Sequence, residues 1–207
     1  MNFIDFILYF IIAAVGGAIN SVAGGGTFLT FPILILKGLT PLQANVMSTI
    51  ALWPGSVASA FAYRRQLAVD KKRLREFIAI SVIGSVIGTA LLLYLPETTF
   101  ERLVPWLLLF ATLIFTFGNR GIRWIHAFSG APEERRHIGA TLLQFFIAVY
   151  GGYFGAGIGI LMLAMLQLMG LTDIHRMNAL KTVLGSSINA VAVILFILAG
   201  QVIWGIA

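Results

Sequence analysis

The chain has no cysteine, which excludes a disulfide frame, a thiolate metal site and a cysteine nucleophile, and leaves the redox compartment unspecified. Charge is scarce. Asp, Glu, Lys and Arg make up 11% of the 207 residues, against about 25% in an ordinary soluble domain. Hydrophobic residues make up 59%, the mean hydropathy is +0.95, and such a chain is not soluble on its own. The few carboxylates form no pair inside an apolar run, and there is no nucleophile elbow. The glycines around position 24 lack the lysine of a phosphate-binding loop. His126, His137 and His175 stand in loops or at helix ends, without metal or haem spacing between them. These absences leave no chemistry for an enzyme, no metal or cofactor, and no familiar way for this chain to bind ATP.

What is there is apolar length. Uncharged runs cover residues 6–36, 38–63, 77–96, 103–119, 138–172 and 182–207, each near or above the roughly 17–25 residues that cross a bilayer as a helix. Inside hydrocarbon every backbone N–H and C=O must be bonded within the protein, and these runs lack the alternation of a membrane barrel strand. The fold class expected is therefore all-α, a polytopic transmembrane helical bundle. Helices are expected at 3–20, 27–37, 42–63, 75–95, 100–118, 137–151, 157–169 and 175–199. Met1 to Asp5 has no basic segment and no cleavage pattern follows, so the first helix is read as retained and not as a signal peptide.

A net charge of +6 does not point to nucleic acid, because the basic residues lie between hydrophobic spans. Arg64, Arg65, Lys71, Lys72, Arg73 and Arg75 fill one loop, and Arg120, Arg123, Arg135 and Arg136 another. Two helices separate these loops, so both lie on one side, and the positive-inside rule makes that side the cytoplasm. Arg176 and Lys181 fall near the same face, while Lys37 and Arg102 fall on the other. The expected location is a bacterial-type inner membrane, with the Arg64–Arg75 and Asn119–Arg136 loops inside.

An internal repeat is the most informative pattern. Gly38, Leu39 and Thr40 recur as Gly170, Leu171 and Thr172, and, with one residue inserted, Asn45 and Thr49 recur as Asn178 and Thr182. Glycine clusters precede both copies, at Gly16, Gly17 and Gly24 to Gly26, and at Gly151, Gly152, Gly155, Gly157 and Gly159. Five membrane segments separate corresponding points. An odd number reverses direction, so the copies are expected to be inverted repeats, a common transporter architecture. Residues 1–118 are read as the first membrane repeat, 119–136 as a basic cytoplasmic loop and 137–207 as the second repeat. That second copy ends before counterparts of the helices at 75–95 and 100–118. Completing it would take about 45 more residues at bilayer-spanning length, so the chain reads as incomplete; a short protein that completes its bundle as a homo-oligomer is the alternative.

Candidate binding residues follow from the breaks. Asn20, Ser21, Gly24, Gly25, Gly26 and Thr27 interrupt two apolar stretches, and a glycine triplet is a poor helix interior. At membrane depth such a break is tolerated only where protein buries it or it lines a wet cavity. The helix that follows, at about 16 Å, is a glycine-broken half-helix whose N-terminus points donors at an anion. Gly155, Gly157 and Gly159 offer the same device from the opposite side. Close packing of small residues is the competing explanation. Beyond each break comes a polar stripe: Asn178, Thr182, Ser186 and Asn189 at i, i+4, i+8 and i+11, and Asn45, Thr49, Trp53 and Ser56 at the same spacing with Ser48 beside them. Either stripe can line a path or serve as interhelical glue. Lys181 is the one charge inside a helix, open either to solute contact or to snorkelling toward the inner surface; facing a cavity, it would favour an anion.

The stretches GGAINSVAGGGTFLTFPILILKGLTPLQAN, MSTIALWPGSVASAFAYRR and GGYFGAGIGILMLAMLQLMGLTDIHRMNALKTVLGSSINAVAVILF resemble the TauE/SafE family of sulfite exporter-like membrane proteins. They cover more than half of the chain and both repeats. The resemblance implies a secondary transporter of the inner membrane handling sulfur-containing organic or inorganic anions. The partners expected are the lipid bilayer, a small anionic solute and a coupling proton or sodium ion. The function expected is anion export by alternating access, with a passive anion channel or a non-transporting membrane scaffold as alternatives.

Overall fold

The computed structural model describes residues 3–67, 70–128 and 133–206. Among them the secondary structure is helical throughout: α1 (Phe3–Ala23), α2 (Thr27–Leu36), α3 (Pro41–Ala62), a short 3-10 turn (Tyr63–Gln66), α4 (Lys71–Tyr94), α5 (Glu97–Phe128), α6 (Glu133–Tyr153), α7 (Ile158–Leu168) and α8 (Ile174–Leu198). The all-α fold expected from the apolar runs is the fold observed. Lys71–Tyr94 and Ile174–Leu198 are each long and apolar enough to cross a bilayer, and many large apolar side chains face outward, among them Phe10, Trp106 and Phe146. A soluble protein hides such side chains, whereas a bilayer solvates them.

The helix ends show why the chain breaks where it does. α2 closes with Gly38 at φ 90°, the Leu39 N–H donating to Leu34 O at 3.2 Å; α7 closes with Gly170 at φ 91°, the Leu171 N–H donating to Leu166 O at 3.2 Å. This is one left-handed glycine cap used twice, and it fixes the register of the repeat. Thr40 then caps α3 in a reciprocal box with Gln43, whereas Asp173 caps α8 by accepting from the His175 and Arg176 N–H groups. The residue inserted in the second copy is thus an N-cap aspartate, which satisfies the same orphan donors by another route.

Two helical hairpins result. α2, about 15 Å long at 1.5 Å per residue, folds back on α1, with Gly26 against the backbone of Gly16. α7 folds back on α6, with Ile158 against Gly151. Five helices separate the starts of the two hairpins, as the repeat requires. The long helices α3 and α8 run beside them, and α4 packs tightly on α6. There Gly84, Gly88 and Gly152 remove side chains where the two backbones meet, while the Gln144 amide donates to Ser81 Oγ at 2.8 Å and Thr89 Oγ1 to Gly152 O at 3.1 Å. Close backbone approach with buried polar bonds is how helices adhere where lipid supplies no hydrophobic drive.

One expectation needs correcting. The segment Asn119–Arg136, read as a basic loop, has helical backbone over 119–128 and 133–136. The uncharged run ends at Asn119 and arginines follow, yet arginine is among the better helix formers, so the first charges mark the end of the apolar length and not the end of the helix. The 32-residue α5 extends roughly 48 Å, well beyond the ~30 Å hydrocarbon layer.

The α4–α6 contact gives a direct test. Gly88→Ala would place a methyl inside contact distance of Val149 O, whereas Gly139→Ala meets nothing within 4 Å. Thermal unfolding in detergent should show Gly88→Ala destabilised by about 1–3 kcal/mol, the usual cost of overpacking, and Gly139→Ala as stable as wild type or more so by up to about 1 kcal/mol.

Candidate functional site

The tips of the two hairpins meet. Gly24, the first residue past α1, has φ 76°, and a Cβ built on it would fall within contact distance of the Gly159 main chain at the start of α7. Glycine is required here twice over, by a left-handed backbone and by the approach of another backbone. Around this contact lies a cavity of about 30 Å³ lined by both breaks and by facing stripes of α3 and α8. That volume holds a water or two; a solute of several heavy atoms enters only if the tips or stripes move apart.

Eleven of the residues selected from the sequence line this cavity: Asn20, Ser21, Gly24 and Thr27 from the first break, Gly155 and Gly159 from the second, Thr49 from α3, and Lys181, Thr182, Ser186 and Asn189 from α8. Six do not. Gly25 faces Phe28; Gly26 packs on Gly16; Gly157, at φ 76°, is the N-cap of α7 and faces Phe28 and Ala111. Asn45 is buried against α6, its Nδ2 donating to Tyr153 O at 3.1 Å. Ser48 and Asn178 are buried, each with a side-chain oxygen that lacks a hydrogen-bond partner.

The cavity also takes in Leu52, Ser56, Ser59, Ile158, Met162 and Gly185. The repeat relates three of these, Leu52, Ser56 and Gly185, to a matching position. At the spacing that relates Thr49 to Thr182, Leu52 corresponds to Gly185 and Ser56 to Asn189, so three matched pairs face one another across the site. Ser56 belongs to the α3 stripe and is held by Asn20, whose Nδ2 donates to Ser56 Oγ at 3.0 Å. Ser59, Ile158 and Met162 gave no signal beyond their places near the stripe and the break.

Among the described residues lining the cavity, Lys181 alone is charged. It does not snorkel: the residue is 3% exposed, and its ammonium donates to Ser21 O and Val22 O, both at 2.9 Å. Those carbonyls belong to the last turn of α1, where the helix dipole is negative and orphan acceptors need donors. Among the described residues no carboxylate stands within salt-bridge distance of it, so its positive charge is balanced only by backbone dipoles. The N-terminal ends of α2 and α7 reach the cavity through Thr27 and Gly159, adding partial positive charge from two sides. The site is electropositive, small and shared between the repeats.

With this geometry in view, comparison with known families is decisive. The sulfite exporter TauE/SafE family matches residues 9–207. The chain belongs to the TauE/SafE family. Similar proteins include a probable membrane transporter protein of Haemophilus influenzae, 26% identical over 202 residues that cover 95% of this chain and 76% of that protein. The probable membrane transporter protein YfcA of Escherichia coli K12 is 28% identical over 199 residues, covering 94% and 71%. The probable membrane transporter protein ORF9 of a Sinorhizobium species is 28% identical over 203 residues, covering 94% and 73%. No solved structure matches significantly. The chain is thus a helical membrane protein of a transporter family, and the cavity lies inside the matched region.

The tip contact makes a sharp prediction. Gly24→Ala combines a strained backbone with a clash against α7, whereas Gly17→Ala meets nothing within 4 Å. Folded yield in detergent should fall severely for the first and stay at the wild-type level for the second.

Proposed function

We propose that this protein is a secondary transporter that carries a small anion, of the size and charge of sulfite or a small sulfonate, by alternating access around the hairpin-tip cavity. The observation that carries this reading is the buried Lys181 ammonium, unpaired by any described carboxylate, in a cavity lined by both repeats. An anion entering there meets one full positive charge and two half-helix N-termini, the arrangement by which broken-helix transporters hold anionic groups. The small size of the cavity supports a carrier over an open channel.

The direction that fits is export. Arg64, Arg65, Lys71 to Arg73 and Arg75 put the α3–α4 connection on the cytoplasmic side by the positive-inside rule. In an inner membrane with an inside-negative potential, an anion gains about 2.3 kcal/mol per charge per 100 mV on leaving. Thr49, Thr182, Ser56 and Asn189 would contact the solute in pairs, so that the two repeats hold it in similar ways as access changes sides. Residues 1–118 and 137–207 form the two moving repeats in this reading.

Uptake of labelled sulfite into inside-out vesicles tests it. Wild-type protein should show saturable uptake, increased by a potential positive inside those vesicles. Lys181→Gln should lower uptake at least about tenfold, since a charge-assisted hydrogen bond is worth about 1.5–3 kcal/mol, while Lys181→Arg should retain a measurable part. Uptake by folded Lys181→Gln protein equal to wild type would contradict the assignment.

A further inference from the structure

The two repeats brace each other at matching points, but with different chemistry. Asn45, Val46, Met47, Ser48 and Thr49 on α3 correspond to Asn178, Ala179, Leu180, Lys181 and Thr182 on α8. Each group starts five residues after its N-cap, Thr40 or Asp173, and in each the threonine hydroxyl donates to the asparagine carbonyl at 2.9 Å. From α8, the Lys181 ammonium binds the carbonyl end of α1 at Ser21 and Val22. From α3, the same turn binds the carbonyl end of α6, with Asn45 Nδ2 on Tyr153 O. The position that matches Lys181 is Ser48.

One repeat therefore carries a built-in cation against its neighbour's helix end where the other has a hydroxyl, while the asparagine oxygens, Asn45 Oδ1 and Asn178 Oδ1, are unpartnered in both. Ser48 is 0% exposed and Asn45 1% exposed, and neither Ser48 Oγ nor Asn45 Oδ1 has a hydrogen-bond partner. The asparagine cannot be turned over to cure this, because its amide nitrogen is committed to Tyr153 O. Ser48 also fails to donate back to its own helix, as Thr49, Ser56 and Ser59 all do. A buried polar group left unsatisfied costs about 1–3 kcal/mol, and two stand on one helix face at i, i+3. Asn45 stands at the C-terminus of α6 through its bond to Tyr153 O, a place that favours positive charge, and Ser48 follows it by one turn on the same face of α3.

We propose that Asn45 Oδ1, Ser48 Oγ and the carbonyl end of α6 form a binding site for a sodium-sized monovalent cation, the counterpart in the first repeat of the Lys181 ammonium in the second. Neutral hard oxygens suit an alkali cation. No carboxylate is buried among the described residues, so a divalent ion has no anionic ligand there. Half-helix C-termini and unwound carbonyls are a known type of setting for such an ion. The site stands on this geometry alone; only its use in coupling rests on the carrier reading, in which a cation clamping α3 to α6 would match the clamp of Lys181 on α1.

Thermal unfolding of the purified chain in detergent, at constant ionic strength in choline chloride, tests the site without any transported solute. Replacing choline by sodium should raise Tm in a saturable way, and potassium should do so much less. Ser48→Ala should raise the sodium concentration at half-effect at least tenfold. Ser48→Lys places an ammonium where the ion would sit, and its Tm should no longer respond to sodium. No sodium-specific rise in wild type, an equal rise with potassium, or an unchanged sodium response in Ser48→Ala would each overturn the proposal. Sulfite uptake is read separately, so failure of the cation site leaves the anion assignment standing, and the reverse.

Discussion

A helix broken inside a bilayer has no water to complete its hydrogen bonds, so every carbonyl freed at the break must find a donor within the protein. That constraint organises this structure. The carbonyls ending α1 are met by the Lys181 ammonium, the Tyr153 carbonyl ending α6 by the Asn45 amide, and the Ala156 carbonyl in the second break by the Tyr150 hydroxyl at 2.8 Å. Each of the first two donors comes from the long helix of the opposite repeat. The breaks consequently stabilise the contact between repeats, and Gly24 and Gly159 let the tips approach until their backbones touch.

The same bonds make the site. A lysine that crosses from α8 to satisfy α1 brings a full charge into a cavity whose other lining groups are glycines, hydroxyls, amides and a few apolar side chains. The N-termini of α2 and α7 add to that charge from two sides. Burial of an ammonium is costly unless it is well bonded, and two backbone carbonyls at 2.9 Å are the partners seen. In the carrier reading an anion would compete with those carbonyls for Lys181, so that filling the site and loosening α1 from α8 become one event. Structural need and solute recognition fall on a single side chain.

Much of this was legible in the sequence because membrane helices are dictated by length and composition. Among the described residues the apolar runs located the helices to within a few residues except for the end of α5, which continues ten residues past its expected limit, and the Gly-Leu-Thr turn with its following asparagine and threonine revealed the repeat. The glycine clusters marked the tips, since a glycine triplet between apolar stretches has few other uses. The sequence was silent on which polar residues of a stripe face a cavity and which face a neighbouring helix. Asn45 and Thr49 lie one turn apart on the same face, yet the first braces α6 and the second lines the site, because the end of α6 covers only one of them. Lys181 looked able to snorkel because its depth along α8 was legible but the carbonyls waiting beside it were not. The helical backbone over 119–128 shows the reverse case, where charge ended the apolar run but did not end the helix.

The central claim is that one solute is held jointly by both repeats. Because the chain has no native cysteine, single cysteines at Thr49 on α3, Ser186 on α8 and the exposed Lys72 at the start of α4 can be alkylated in membranes without background. The account predicts that a small sulfonate slows alkylation at Thr49→Cys and at Ser186→Cys with the same concentration dependence, and leaves Lys72→Cys unaffected. Protection at only one of the two cavity positions, or equal protection at all three, would contradict it.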